Sequence, residues 1–365
     1  RSCELCMTHS SQAKAARARA FPPTPPPFTR MLSMLDVVDL TEELVAIPSV
    51  SGNEAEVVEY VKGLLESRGW SVQCQEVAPG RENVWASRGS GVVTLSTHLD
   101  TVGPFIAPSR KYGRLYGRGT CDAKGIAASM ICAAQRLADV GEERIDLLFV
   151  VGEEAGSDGA MAANELPSTS SALINGEPTE GRLASGAKGS LRVLVRTEGK
   201  AAHSAYPDEG DSAITAMVGL LSELDHLSWP TDHDIGETTV NIGRIIGGEA
   251  ANIVPAQCEA ELLVRLVGEP GPVQRILDHW AEGRASLLYG AQVPTTRFRT
   301  VPGFDIEAVS FTTDAPLLSN WGEALLFGPG SIHYAHGVDE HIEIDELRQS
   351  VTTYERLVLS LLEGY

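Results

Sequence analysis

The sequence predicts an α/β protein built on a mostly parallel sheet, with a second, ferredoxin-like βαββαβ domain inserted into the first. Three observations predict it. Short apolar runs rich in β-branched residues recur with helical stretches between them, as strands of a sheet covered on both faces should. Over residues 188–298 the rhythm changes to strand, helix, two strands, helix, strand. The first pattern then resumes near Phe311, so the second unit interrupts the first.

The elements can be taken in chain order. Residues 39–68 are helical in tone: Leu40, Leu44 and Val45 recur at helix spacing, and past a break at 48–53 Val57, Val58, Val61, Leu64 and Leu65 repeat the pattern. Apolar runs at 92–97, 145–151, 172–175 and 324–327 read as strands. Between the first two, residues 122–139 place Ile126, Met130, Ala133 and Leu137 on one helical face, with Gly141 just past the end. A strand–helix–strand unit implies parallel pairing. In the inserted region 191–197, 238–246, 258–267 and 292–299 read as strands, and 210–227 and 273–288 as helices. The expected layout is an extension at 1–33, a larger domain over 34–187 and 299–365, and the inserted domain at 188–298.

Composition narrows the function. The 365 residues are 43% hydrophobic and 21% charged, enough for a sizeable core. Lys and Arg number 29 against 49 Asp and Glu, a net charge of −20 that argues against nucleic acid or an anionic membrane as partner. Six cysteines in this length are no disulfide scaffold, and no apolar run approaches the roughly 20 residues of a membrane helix. A cytoplasmic enzyme is expected. Residues 1–30 differ, with Arg1, Lys14, Arg17, Arg19 and Arg30 against Glu4 alone, closing on a polyproline stretch. Cys3-x-x-Cys6 with His9 has the spacing of half a zinc site, but no second pair comes after it. The segment reads as a disordered extension or a translated leader ahead of Met31 or Met34; its Arg/Ala-rich, acid-poor make-up also fits an organelle transit peptide.

The residues just past each strand carry the chemistry. Residues 92–97 run into His98-Leu99-Asp100, 145–151 into Gly152-Glu153-Glu154, 172–175 into Gly176-Glu177-Pro178, and 324–327 into Gly328-Pro329-Gly330-Ser331-Ile332 and then His336. Asp122 opens the helix after the first of these strands. In an open parallel sheet the carboxyl ends of strands line one crevice, where ligands bind. Singly, each motif has a bland reading: a capping pair, a solvated Glu-Glu, an N-cap. Jointly they pool carboxylates in one cleft, a costly arrangement that bound divalent metal resolves. Two His and three carboxylates, one bridging, suit a pair of borderline ions such as Zn²⁺ better than Mg²⁺ or Ca²⁺.

These segments, with Gly117-Arg118-Gly119-Thr120-Cys121-Asp122-Ala123-Lys124-Gly125 and Ala335-His336, resemble the acetylornithine deacetylase/succinyl-diaminopimelate desuccinylase family of dinuclear-zinc aminoacylases and peptidases, in order over about residues 36–365. The resemblance implies a zinc-peptidase-like catalytic domain with a lid and dimerisation domain, and a homodimer. It implies two divalent ions, Zn²⁺ with Co²⁺ as a substitute. Asp122 would bridge them, with His98 and Glu177 completing one site and Glu154 and His336 the other. Asp100 would orient the ring of His98. Glu153 would be the general base. His203, in Lys200-Ala201-Ala202-His203-Ser204-Ala205-Tyr206-Pro207, would reach the partner subunit's site and stabilise an oxyanion, a contribution of roughly 3–4 kcal/mol. Asn252 and Arg265 fall where the family places substrate contacts, Arg265 as a fork for a carboxylate; each also reads as an ordinary loop or strand-surface residue. Cys121 reads as a small packed side chain, His333 as a competing ligand, and His341 as surface.

Thr312-Thr313-Asp314-Ala315-Pro316 and the Gly328–Ile332 segment look more like acetylornithine deacetylases, with Asp314 facing a substrate's distal ammonium or capping a helix. The expected reaction is hydrolysis of an N-acyl-L-amino acid, N-acetyl-L-ornithine in arginine biosynthesis or a relative such as acetylcitrulline or acetyl-lysine. The alternatives are succinyl-diaminopimelate desuccinylase of lysine biosynthesis, a dipeptidase or carboxypeptidase, and a non-catalytic binding relative. The last should have lost a ligand or the base, and here all are present.

Overall fold

Six strands form the main sheet of the computed structural model, which describes residues 34–363. Their order is Ser71–Ala78, Arg81–Ser87, Ile145–Val150, Val93–His98, Ala172–Asn175, Glu323–Leu326. The last four are parallel to one another, and the first two add an antiparallel hairpin at one edge. Val93–His98 lies between the strands that come after it in sequence, so the chain leaves it to one side and then the other. That reversal opens a crevice at its carboxyl end.

Period-two alternation covers both faces of this sheet. Leu147 and Phe149 point into a core shared with the helices Val37–Ala46, Lys124–Asp139 and Ile344–Leu362, while Leu148, Val150 and Leu173 pack on Ala160, Ala163 and Trp321 on the opposite face. Lys124–Asp139 is buried on nearly every side, not on the single face its apolar spacing predicts, because the helices Val37–Ala46 and Ile344–Leu362 flank it. Its first residue closes a neighbouring helix end: the buried Lys124 ammonium donates to the carbonyls of Leu44 (3.0 Å) and Ile47 (2.5 Å). Burial lowers its pKa to about 7.

The inserted region is a two-layer unit. Its antiparallel sheet runs Thr239–Gly247, Gln257–Leu266, Gly189–Glu198, Ser286–Val293. Leu191, Val193, Val195, Ala260, Leu262 and Val264 alternate inward against the helices Ala213–Leu221 and Pro270–Ala281. This is the βαββαβ order the sequence predicts, with shifted bounds. The second helix stops at Ala281, and Leu287 and Leu288 belong to the strand Ser286–Val293, one partly buried and one exposed on opposite faces. Phe311 lies in a bend: Ile306–Val309 pairs with Leu183–Ala187 in a small separate sheet, and the main sheet resumes only at Glu323. The Cys3, Cys6 and His9 motif lies outside the described residues.

Candidate metal centre

Each strand end delivers its side chain through a short turn. His98 is the last residue of Val93–His98 and Asp122 stands two residues before the central helix. Glu153 and Glu154 open a single 3₁₀ turn after Ile145–Val150. Gly152 makes that turn possible: its φ is +78°, and a Cβ there would meet Asp158 Oδ1 at 2.1 Å and Arg81 Nη2 at 2.3 Å. Arg81 forks between Glu54, which is buried, and Asp158 (Nη1–Oδ2 2.5 Å), so two ion pairs sit directly against the turn. Glu177 comes directly after Gly176, where a Cβ would lie 2.5 Å from Ile126 and Met130 of the central helix.

The side chains converge as two linked groups. Ligand atoms of His98, Asp122 and Glu177 lie within 4.8 Å of one another, as do those of Asp122, Glu154 and His336. Asp122 is common to both, with His98 Nε2 3.1 Å from its Oδ1 and His336 Nε2 3.3 Å from its Oδ2. His336 Nε2 also lies 2.8 Å from Glu154 Oε1. His333 joins neither group, and the exposed residue instead lines a cavity with Pro178, Arg182, Glu307 and Phe311.

The donor set fits divalent metal. Glu177 is buried, yet its carboxylate accepts no hydrogen bond among the described residues, and burial with the nearby Glu153 pushes its pKa well up. A buried carboxylate with no donor is a cost that a cation removes. Burial would lower the His98 pKa, but Asp100 and Asp122 outweigh it and hold it well above the usual value. Asp122 and Glu154 raise His336 to about 10. Asp122 itself is held below the ordinary carboxylate range by the two rings, against its burial. Protons on the imidazoles thus stand where cations balance the carboxylates.

Asp100 holds the His98 ring chiefly through its backbone. The ring's Nδ1 lies 2.9 Å from the Asp100 backbone carbonyl and 3.5 Å from its carboxylate. With Nδ1–H donated there, the Nε2 lone pair faces the centre. The carboxylate instead accepts the backbone N–H groups of Glu153 (3.1 Å) and Glu154 (3.2 Å) and the Ser51 hydroxyl (2.7 Å). It ties the arm carrying His98 to the turn carrying the other two acids. The sequence reading missed Ser51 and Arg81, because nothing local marks residues whose partners lie 49 and 77 positions away.

Asp314 is buried beside this constellation. Its Oδ1 is unpartnered, burial raises its pKa to about 6, and it helps raise Glu153. Cys121 is a packed thiol: its Sγ donates to the Ser331 carbonyl (3.2 Å), burial raises its pKa, and it joins neither group. His341 is no surface residue. It is buried and stacks on Tyr334 and Tyr116 at 4.1 and 5.0 Å. On the lid, His203 and Asn252 are brought together: Ser204 N–H donates to the Asn252 carbonyl, and His203 pairs with Ile253 in an isolated bridge. Arg265 lies on the strand Gln257–Leu266. None of these three bonds with the two groups among the described residues.

A model of the peptidase dimerisation domain of M20 enzymes matches residues 185–277. A peptidase M20 domain-containing protein of Schizosaccharomyces pombe is 37% identical over 89% of this chain and 84% of its own. A protein of Emericella nidulans named a probable carboxypeptidase is 37% identical over 89% of each chain. Among solved structures, a tripeptidase from Staphylococcus aureus superposes with a TM-score of 0.75 at 22% identity, covering 90% of this chain and 99% of its own. A dinuclear metal-binding M20 peptidase from Bacillus subtilis superposes with a TM-score of 0.68 at 18% identity, covering 90% and 98%. These likenesses fix the fold as that of M20 peptidases, an α/β catalytic domain with a dimerisation domain, and with the identity to the fungal relatives they establish that this chain belongs to the peptidase M20 family.

Proposed function

We propose that the chain is a metal-dependent exopeptidase, a carboxypeptidase or dipeptidase, that hydrolyses the amide bond to a residue carrying a free α-carboxylate. The observation that carries the free α-carboxylate is Arg265, and the relatives' names carry the choice of a peptide. Its half-buried guanidinium forms no hydrogen bond or ion pair among the described residues, and burial lowers its pKa. An unpaired guanidinium is a fork for a carboxylate. The fungal relatives named as carboxypeptidases support the same reading, which fits them better than deacetylation of N-acetyl-L-ornithine.

His98, Asp122 and Glu177 would hold one divalent ion, and Asp122, Glu154 and His336 the other, with Zn²⁺ as the expected metal and Co²⁺ as a substitute. Such ions, when bound, polarise an amide carbonyl and acidify water. The Glu153 carboxylate forms no hydrogen bond among the described residues, so it is available to take a proton from water and pass it to the leaving amine nitrogen. His203 accepts the Ala205 N–H at Nδ1 (3.1 Å), which leaves Nε2–H as a donor for an oxyanion in the partner subunit's site. Asn252 and Arg265 position the substrate from the lid. Residues 188–298 form that lid, and 34–187 with 299–365 the catalytic domain. A second copy joins along the edge strand Thr239–Gly247, which exposes Ile242, Ile245 and Ile246.

The second reading, deacetylation of N-acetyl-L-ornithine, is favoured by Asp314, whose bare Oδ1 would suit a substrate ammonium. One assay separates them. Chelator-stripped protein is reloaded with Zn²⁺ and given a dipeptide with a free C-terminus, both unblocked and N-blocked, the corresponding C-terminal amides, N-acetyl-L-ornithine and N-succinyl-diaminopimelate. Cleavage of the free-carboxylate peptide and not its amide is expected. Turnover of only the acetyl or succinyl substrate would replace the peptidase reading with the corresponding deacylase.

A further inference from the structure

We propose that Glu340 and Arg118 are positioning residues that lock the loop carrying Asp122 to the segment carrying His336, and so set the geometry of the acid shared by both donor groups. This rests on the metal reading above. Glu340 Oε1 accepts three backbone N–H groups, from Gly119 (2.8 Å), Cys121 (3.2 Å) and Asp122 itself (3.3 Å). Its Oε2 accepts Arg118 Nη1 at 2.5 Å, and Arg118 Nη2 donates to the His336 carbonyl at 3.2 Å. Arg118 Nε donates to Pro104 O at 3.4 Å. Both residues are buried, Arg118 at 2% and Glu340 at 1% exposed.

The pair does more than fill space. A carboxylate that accepts three loop amides and a guanidinium has its acceptor sites committed, so the loop has one arrangement against it. Glu340 is itself fixed, because it precedes the strand His341–Glu343 paired with Arg114–Tyr116, and its carbonyl accepts the Gly117 N–H. His336 has a φ of +65°, a conformation a histidine keeps only when its surroundings hold it, and the Arg118 bond is made to that residue's own carbonyl. Two ligand-bearing segments far apart in the chain are thereby braced by a single ion pair. Partners of this kind commonly change metal affinity by about 10–100-fold when removed.

The test is calorimetric titration of chelator-stripped protein with Zn²⁺ alone, together with the d–d absorption spectrum of the Co²⁺-loaded protein. Wild type, Glu340→Gln, Arg118→Lys and a control, Gln135→Leu, are compared. The control removes the acceptor of the buried Trp70 N–H away from the site, so it reports loss of stability alone. Two ions are expected to bind wild type and the control. Glu340→Gln should weaken binding at least tenfold and alter the Co²⁺ spectrum. Arg118→Lys keeps the charge but loses the reach to His336, and should weaken one ion only; it decides the matter if Glu340→Gln does not fold. Wild-type affinities and spectra in the folded variants would overturn the proposal alone. A wild type that binds no metal would overturn the metal reading and this proposal with it.

Discussion

Glu153 and Glu154 are neighbours in one turn, yet their surroundings differ. Glu154 accepts the His336 ring at 2.8 Å, while the Glu153 carboxylate has no hydrogen-bond partner among the described residues and is pushed up by desolvation, with Asp314, Asp122 and Glu154 adding repulsion and His98 opposing it. Glu154 belongs to a donor group and Glu153, pressed against both groups, belongs to neither, which supports the proposed roles of ligand and base. Replacing Glu153 with Gln should therefore lower kcat by roughly 10²–10⁴-fold, with both ions still counted by metal analysis. Loss of a metal instead would move Glu153 into the ligand set. The imidazoles give a second expectation. His336 is raised to about 10, so near neutral pH its ring is protonated in the metal-free protein, and ligation requires it neutral. Metal affinity should rise as pH rises towards that value, with at least one proton released. Titrations in buffers of different ionisation enthalpy measure this, and a proton count of zero would contradict it.

Among the elements, the parallel strands deliver His98, Glu154 and Glu177 at or just after their carboxyl ends, while Asp122 stands on the loop into the central helix and His336 on the loop beyond Glu323–Leu326. The same sheet stores an acid at the other end. Asp146 is buried near the start of Ile145–Val150; its Oδ2 accepts the Trp85 N–H, Oδ1 is unpartnered, and burial raises it to about 6. Its folded-state pKa exceeds the unfolded one, so its contribution favours the fold at low pH and is lost as pH rises through about 6. Asp146→Asn should therefore stabilise the protein by about 1–3 kcal/mol at pH 8 and by little at pH 4, read from denaturant midpoints. No gain at pH 8 would show that the charged form finds compensation.

How much the sequence made legible depends on how local each signal is. The four parallel strands are short, mostly apolar runs, each with a glycine close to one end, and acidic or histidine side chains come after them, so fold class and donor set could be read together. The hairpin Ser71–Ala78 and Arg81–Ser87 escaped because its outer strand is largely exposed and carries Gln73, Gln75 and Glu76, which dilute the pattern. The brace between Glu340 and Arg118 escaped because its partners lie 222 positions apart. Substrate choice was the least legible part. It rests on a few lid and loop side chains whose residue types serve peptides and acyl amino acids alike.

Taken whole, the molecule places its donors in one domain and the groups proposed to hold substrate in another. Asn252, Arg265 and His203 are all on the lid, and the lid ends in an edge strand with exposed isoleucines. Ile245→Asp on that edge should convert a dimer to a monomer in light scattering and reduce kcat at least tenfold, because His203 would no longer reach a partner's site. A monomeric variant with full activity would confine catalysis to one chain. The central claim is that the two donor groups are a working dinuclear metal centre. The most direct measurement counts metal per chain against turnover while stripped protein is reloaded with Zn²⁺. Two ions per chain are expected, with activity absent after stripping and restored as the sites fill. Activity that survives complete removal of metal, or a chain that binds none, would contradict the claim.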